Sequence, residues 1–130
     1  MERVTGIGGI FFRSTDPEAL AAWYEQHLGV LRTPTSYDAE VWLQEAGPTV
    51  FGPMPADSPM LPASAQLMLN FRVNDLDAMV RQLQEAGVAV DVDPERYPNG
   101  RFAYLADPDG NPIQLWQPEQ TDAERVREHD

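Results

Sequence analysis

The residue types that could catalyse a reaction are scarce in this chain of 130 residues. It contains no cysteine, which excludes a thiol nucleophile, a zinc-thiolate site and a disulfide framework. Its two histidines are His27, inside a predicted helix, and His129, the penultimate residue. General acid-base catalysis needs a group whose pKa can be placed near the working pH. Glu40 is a weak candidate base, with Tyr97 and Tyr104 as candidate acids, so the supply of reactive groups favours binding over catalysis.

The net charge of the chain limits the kinds of molecule that it is expected to bind. The chain carries 21 acidic and 9 basic residues, for a net charge of −12. Such a field repels nucleic-acid phosphates and anionic lipid surfaces, whereas it attracts a cationic ligand. No run of apolar residues approaches the length of a membrane span, and the first residues lack the pattern of a secretory signal. We therefore expect a cytoplasmic protein that binds neither nucleic acid nor membranes.

The elements that position these residues are predicted by an internal repeat. The segments "FRSTD" at 12–16 and "FRVND" at 71–75 share the frame F-R-x-x-D, at an interval close to half the chain. Each follows an extended apolar run and precedes an amphipathic helix. Asp16 and Asp75 stand at the N-cap positions, and Gly29 and Gly87 stand where the helices should end. The sequence thus predicts that strand, cap and helix recur in both halves.

Three short extended segments follow each predicted helix. In the first half they lie around 30–33, 39–44 and 49–51, and in the second around 88–92, 101–106 and 113–117. The turns "YPNG" and "DPDGNP" separate the later ones. The sequence therefore predicts an α+β fold of two β-α-β-β-β modules, at about 4–52 and 65–118. A proline-rich connector at 53–64 joins them, and a charged tail at 119–130 follows.

Two stretches make the chain similar to a known group of proteins. "DPEALAAWYEQHLG" in the first copy and "GRFAYLADPDGNPIQLW" closing the second resemble the vicinal oxygen chelate superfamily. That superfamily includes glyoxalase I, bleomycin-resistance proteins and extradiol dioxygenases, and the likeness covers about residues 4–118. It implies curved mixed sheets around a cleft, with helices on the outer face, and pairing into homodimers. Because proteins of this fold have several different functions, the residues of the site, and not the fold, must distinguish between these functions.

In metal-dependent members of the superfamily, the resemblance implies one ligand from the first and one from the last strand of each module. The matching positions here are Gly9, Met68 and Gln114, together with Val50 or one of its neighbours Thr49 and Phe51. A hard divalent ion needs several anionic or imidazole ligands, and one neutral amide does not suffice. We therefore predict no metal and no other cofactor, with a divalent metal as the alternative.

Alternation along the strands predicts which side chains face the cleft. Leu67, Leu69 and Phe71 are expected to face the helices, as are Ile10, Phe12, Val41, Leu43, Ile113 and Leu115 in the other strands. The opposite face then carries the candidate ligand-binding residues, which are aromatic, amide, thioether and arginine side chains: Phe11, Arg13, Trp42, Met68, Asn70, Arg72, Phe102, Tyr104, Gln114 and Trp116. Aromatic walls with a few placed polar groups are typical of ligand pockets. An alternative is that these aromatic rings only cover one another or a dimer partner.

The sequence favours metal-independent binding or sequestration of a small planar or cationic organic molecule. The first alternative is a glyoxalase-like lyase or isomerase, or a dioxygenase-type enzyme, acting through misassigned metal ligands or through Glu40. The second alternative is a module that binds a macromolecular partner.

Overall fold

The computed structural model of the protein describes residues 1–119. Its elements in chain order are α1 (Pro17–Leu28), β1 (Leu69–Arg72), α2 (Leu76–Glu85), β2 (Asp91–Val92), β3 (Gly100–Ala106) and β4 (Pro112–Pro118). The α+β class is confirmed. The predicted charged tail lies outside the described residues from position 120 onward. No helix within residues 1–119 has the length and apolar character needed to cross a bilayer.

Both helices begin as the repeated sequence predicts. The side chain of Asp16 accepts a hydrogen bond from the amide of Ala19, at 3.2 Å, and that of Asp75 accepts one from Ala78, at 3.0 Å. These bonds satisfy amides that have no partner inside the first helical turn. α1 ends at Gly29, whose φ of 72° lies in the left-handed region that glycine adopts without strain. The N-caps therefore fix where both helices begin, and Gly29 fixes where α1 ends; α2 ends at the cap residue Ala86, with Gly87 in the left-handed region directly after it.

The second half forms a four-stranded mixed sheet in the order β1-β4-β3-β2. β1 runs parallel to β4, while β3 is antiparallel to both β4 and β2. The strand, helix and three strands that follow match the predicted module, with β3 and β4 each seven residues long. β1 stands at one end of the sheet, so one side of its backbone has no neighbouring strand in the described chain.

The core lies between the helices and one face of this sheet. Leu69, Ile113 and Leu115 are buried there, as their alternation predicts, together with Leu76, Val80 and Leu83 of α2 and with Leu20 and Tyr24 of α1. Phe71 packs against the same cluster. The expectation for Leu67 is wrong, because this residue precedes the first paired residue of β1 and remains 42% exposed. Because one face of the sheet packs against the helices, the sheet also fixes the positions of the side chains on its opposite face.

The predicted strands of the first half are not formed within residues 1–68. The segments at 4–13, 30–33, 39–44 and 49–51 have no strand pairing, so the tandem arrangement stays a prediction. Four residues expected to face the helices are instead exposed on these segments: Ile10, Phe12, Val41 and Leu43. A strand requires a neighbour for its amides and carbonyls. The described chain offers these segments none, although their composition favours strands.

Candidate functional site

A row of three neutral polar side chains crosses the sheet on the face opposite the helices. Asn70 of β1, Gln114 of β4 and Tyr104 of β3 are in register with one another. The Asn70 Nδ2 donates to Gln114 Oε1 at 2.6 Å, and Gln114 Nε2 donates to the Tyr104 hydroxyl at 3.0 Å. The predicted face is therefore correct for these three residues. Each belongs to a different strand, so the sheet itself sets their spacing.

An aromatic pair lies in the next row. Phe102 of β3 and Trp116 of β4 are register partners, and their rings stack with an interplanar angle of 3° and centroids 6.4 Å apart. Tyr97 meets Phe102 edge to face at 5.8 Å. Offset stacking of this kind is favourable between aromatic rings. The sheet thus presents aromatic rings directly beside the polar row.

Trp116 is fixed by the turn that precedes β3. Its Nε1 donates to the carbonyl of Asn99 at 2.8 Å, and the side chain is only 6% exposed. Gly100 makes this approach possible, because its φ of 131° and its contact with Gln117 and Trp116 leave no room for a Cβ. The "YPNG" turn therefore orients the tryptophan that closes one end of the site.

Arg72 of β1 lies in the same row across the sheet as Phe102 and Trp116, since it is the register partner of Trp116. Its guanidinium donates to the carbonyls of Pro48 and Glu45, both at 2.7 Å, and to the Thr49 hydroxyl at 3.2 Å. A planar guanidinium with five donors suits this arrangement better than a lysine. Arg72 therefore binds the segment 45–49 to the open edge of β1, which the sequence pattern did not predict.

A groove of about 750 Å³ runs along that edge. Trp42 and the segment 43–48 form one wall, and Asn70, Arg72 and Gln117 belong to the other. Trp42 is 40% exposed and borders the same groove as Asn70, one end of the polar row.

Other predicted site residues are not brought to this face. Phe11 is 90% exposed and Arg13 is also exposed, because the strand predicted to carry them is not formed. Met68 is half-buried immediately before β1. Glu40 lies in a separate cavity of about 290 Å³ with Glu25 and Arg32, which form their own ion pair. The candidate base is therefore apart from the polar row.

The residues at the superfamily's ligand positions do not fit a metal ion. Gly9, Val50 and Phe51 have no side-chain donor atom, Met68 offers a thioether, and the Thr49 hydroxyl accepts from Arg72. Both polar atoms of Gln114 already bond to neighbouring side chains. Among residues 1–119, no three His, Cys, Asp or Glu side chains are grouped so that they could hold a metal.

A buried carboxylate anchors α1 to the sheet. Asp107, 4% exposed in the turn between β3 and β4, accepts from the Tyr24 hydroxyl at 2.6 Å and from the Asn111 side-chain amide at 2.7 Å. Its other oxygen accepts hydrogen bonds from the backbone amides of Asp109 and Asn111. The sequence indicated the turn, but the partner in α1 is 83 positions away and no local pattern reveals it.

Comparison with known proteins gives consistent results. A family model described as glyoxalase-like domain matches residues 9–116. TnmS3, an antibiotic binding protein from Streptomyces sp. CB03234, is 34% identical over 81% of this chain and 88% of its own, with a TM-score of 0.48. A protein from the mobile metagenome of V. Pseudocholerae, 16% identical over 90% of this chain and 97% of its own, shares the fold with a TM-score of 0.57.

The match to a curated protein is shorter. The uncharacterized protein YaeR from Escherichia coli (strain K12) is 38% identical over 69 residues, which are 50% of this chain and 52% of YaeR. The chain thus spans about half the length of the curated relative it matches.

Proposed function

The chain belongs to the glyoxalase-like domain family, within the vicinal oxygen chelate superfamily, and we propose that it binds a small planar organic molecule without a metal ion. The ligand is taken up on the sheet face opposite the helices, at the parts of the stack and of the polar row that remain accessible, Phe102, Tyr104 and Asn70. Binding or sequestration, rather than conversion, is the proposed role.

The observation that carries this proposal is the stack of Phe102 on Trp116 beside a row of hydrogen-bonding side chains. A planar ligand gains dispersion and stacking contacts from such rings, while a few placed polar groups orient it. Trp116 is already held by Asn99, so little side-chain freedom is lost when a ligand binds. A preformed surface of this kind suits recognition.

The relative TnmS3 supports the ligand class. It is described as an antibiotic binding protein, and this chain covers 88% of it at 34% identity. We therefore extend the proposal to natural products of antibiotic type, a class that includes planar aromatic molecules.

Metal independence rests on the chemistry of the donor set. Four strand positions were assigned, and Gly9, Met68 and Val50 offer no oxygen donor. Gln114, at the fourth, has its amide engaged on both sides, and the hydroxyl of Thr49, the alternative to Val50, accepts from Arg72. Glu40, the remaining candidate for acid-base chemistry, borders the other cavity, so we do not propose a reaction.

We also propose that two copies associate. Apolar side chains of strand-like composition are strongly exposed in the first half, among them Phe11, Leu43 and Phe51 at 90%, 82% and 84%. A second copy offers these segments and the open edge of β1 the neighbours that they lack. Light scattering at micromolar concentration tests this, since a monomer mass contradicts it. The cytoplasmic location and the lack of affinity for nucleic acid and membranes stay predictions.

A fluorescence titration tests the binding function. Proflavine and naphthalene-2-carboxamide serve as a cationic and a neutral planar probe, with tryptophan emission as the signal. Phe102→Leu removes the stacking partner and should weaken binding about tenfold. Phe51→Leu is the matched control, because Phe51 is 84% exposed and is not a member of the stack. Equal affinities of the two variants, or no response from either probe, would contradict the proposal, as would a thermal shift with Zn²⁺ or Mn²⁺ that a chelator reverses.

A further inference from the structure

We infer that Asp91 of β2 determines the charge of the ligand, by pairing with a cationic group that a planar aromatic ring carries. This inference rests on the proposed binding function and deepens it, since it names the class of planar molecule that the sheet face takes up. The class is an aromatic compound with an ammonium or guanidinium group, and neutral and anionic planar molecules bind more weakly.

Asp91 lies on the same sheet face as the polar row. It is exposed and is the register partner of Tyr104. Directly opposite residues of an antiparallel pair point to the same face, with Cβ atoms about 5 Å apart. The next residue, Val92, points to the other side, since it pairs with the buried Ala103 and packs against the core. The polar row therefore ends at a carboxylate on β2.

A second carboxylate borders the aromatic pair. Asp93 directly follows β2, and its backbone amide donates to the carbonyl of Phe102 at 3.0 Å. Its carboxylate accepts a hydrogen bond from the hydroxyl of Tyr97 at 2.8 Å, and the Tyr97 ring meets Phe102 edge to face. Asp93 thus lies beside Phe102 as Asp91 lies beside Tyr104, so each carboxylate has an aromatic neighbour on β3.

Neither carboxylate is paired with an arginine within residues 1–119. Arg101 points to the helix side of the sheet, where it pairs with Asp77 of α2 at 3.1 Å, and the other two ion pairs there involve Glu25 and Glu119. Asp91 and Asp93 are two positions apart in an extended segment, so their Cβ atoms lie about 7 Å apart and the two charges repel each other. A bound cation relieves this repulsion, whereas an anion adds to it.

The aromatic neighbours strengthen the preference for a cation. The face of a phenylalanine or tyrosine ring carries partial negative charge, so it attracts a cation that lies within about 6 Å of its centroid. Phe102 and Tyr104 are half-buried, which leaves part of each ring accessible to a ligand. An aromatic cation therefore gains contacts with the rings through its own ring and with Asp91 through its charge.

The positive charge of Arg72 lies at the opposite end of this face. β1 and β2 are separated by three strand spacings, on the order of 14 Å. This distance exceeds the Debye length of about 8 Å in salt of about 0.15 M. The Arg72 guanidinium also bonds to the carbonyls of Pro48 and Glu45, beyond the outer side of β1. A cation beside Asp91 is thus screened from Arg72, and the net charge of −12 favours its approach.

The strand spacing specifies where the ligand carries its charge. β2 and β3 are neighbours, so their backbones are about 5 Å apart. A ring that lies over Phe102 or Tyr104 therefore brings a cationic group beside Asp91 when one methylene separates that group from the ring. We expect the preferred ligand to be a fused aromatic ring system with a short cationic arm.

Three probes that share one ring system test this. Naphthalen-2-ylmethylammonium is a cation, naphthalen-2-ylmethanol is neutral, and naphthalene-2-carboxylate is an anion. Equilibrium dialysis against the full chain at neutral pH, in salt of about 0.15 M, measures the affinity of each probe. We expect the ammonium to bind about fivefold tighter than the alcohol, and the carboxylate to bind more weakly than the alcohol.

Variants link this preference to Asp91. Asp91→Asn removes the charge and keeps the shape, so the affinity for the ammonium should fall about fivefold while that for the alcohol stays the same. The unchanged affinity for the alcohol also shows that the site remains folded. Asp91→Lys should make the carboxylate the preferred charged probe. Glu85→Gln is the matched control, since it changes the net charge equally at an exposed position on α2, on the other side of the sheet.

The outcomes separate the two proposals. Equal affinity for the three probes, a preference for the carboxylate, or an ammonium preference that survives Asp91→Asn overturns the inference and leaves planar-ligand binding intact. An equal loss of that preference in Glu85→Gln also overturns it, because the net charge then attracts the cation. Failure of every probe to bind the unaltered protein overturns both proposals. An ammonium preference that is lost in Asp91→Asn and kept in Glu85→Gln supports the inference.

Discussion

The hydroxyl of Tyr24 donates a 2.6 Å hydrogen bond to the carboxylate of Asp107, and this bond joins the helix of the first half to the sheet of the second. Asp107 is buried and accepts three further hydrogen bonds from its own turn. A buried charge is tolerated when it is fully hydrogen-bonded. The turn therefore serves as the attachment point for α1.

Tyr24→Phe should lower the free energy of unfolding by about 1–3 kcal/mol, because it removes one donor from a buried carboxylate. Urea denaturation followed by far-UV circular dichroism measures the change. Tyr37→Phe removes the same hydroxyl from an exposed ring and should have no measurable effect. Equal stability of the two variants would show that the bond contributes nothing.

The same tyrosine should make the fold sensitive to alkali. Burial, followed by the hydrogen bond to Asp107 and the charges of Asp107 and Asp109, raises the pKa of Tyr24 above its ordinary value of 10.0. The unfolded chain then loses this proton at lower pH than the folded protein, so the stability from Tyr24 is present below about pH 10 and declines above it. The difference in stability between the unaltered protein and Tyr24→Phe should shrink between pH 10 and 11. A constant difference over that range argues against the raised pKa.

Gly100→Ala should destabilise the fold by more than about 1 kcal/mol, because an added Cβ meets the Gln117 carbonyl at a backbone φ of 131°. It should also shift the emission of Trp116, whose Nε1 bonds to the adjacent Asn99 carbonyl. Gly8→Ala is the control, since no atom of residues 1–119 lies within 4 Å of its Cβ position. Thermal melting combined with fluorescence distinguishes them, and matching curves would show that the turn accommodates a side chain.

The repeated N-caps predict a paired result. Asp16→Ala and Asp75→Ala should each cost about 1 kcal/mol, because each leaves a first-turn amide without its partner. Asp57→Ala, at an exposed loop position, should cost nothing. If chemical denaturation shows a loss for Asp75→Ala alone, α1 does not unfold together with the sheet.

Arg72→Ala should release the segment 45–49 from the edge of β1, since three of its oxygen atoms bond to that guanidinium. Cleavage after Glu45 by a glutamate-specific protease should become several times faster. Arg81→Ala, at an exposed position on α2, should leave the rate unchanged. A rate unaffected by Arg72→Ala would mean that other contacts hold the segment.

The sequence was most informative where a local pattern determines a local structure. Asp16, Asp75 and Gly29 set helix ends through bonds within a few residues, and alternation in β3 and β4 assigned Tyr104, Gln114 and Trp116 to the correct face. It was least informative where the partner is remote. The hydrogen bond between Tyr24 and Asp107 could not be predicted, because it depends on how α1 docks on the sheet.

The predicted strands of the first half illustrate the same limit. Their composition favours extended structure, but β propensity reports how well a side chain fits a pleated surface that already exists. Phe11 and Arg13 were assigned to the cleft on the assumption that such a surface forms around them. Without a paired neighbour, alternation in the sequence does not determine where these side chains lie.

The two edge strands of the sheet, β1 and β2, differ in how readily each accepts a further strand. β2 is only two residues long and carries the exposed Asp91, so this border discourages the addition of another strand. Within residues 1–119, β1 is open on its outer side. If two chains pair along their β1 strands, each uses the one edge strand that can accept another strand. Assembly then stops at a closed dimer instead of continuing into a fibre.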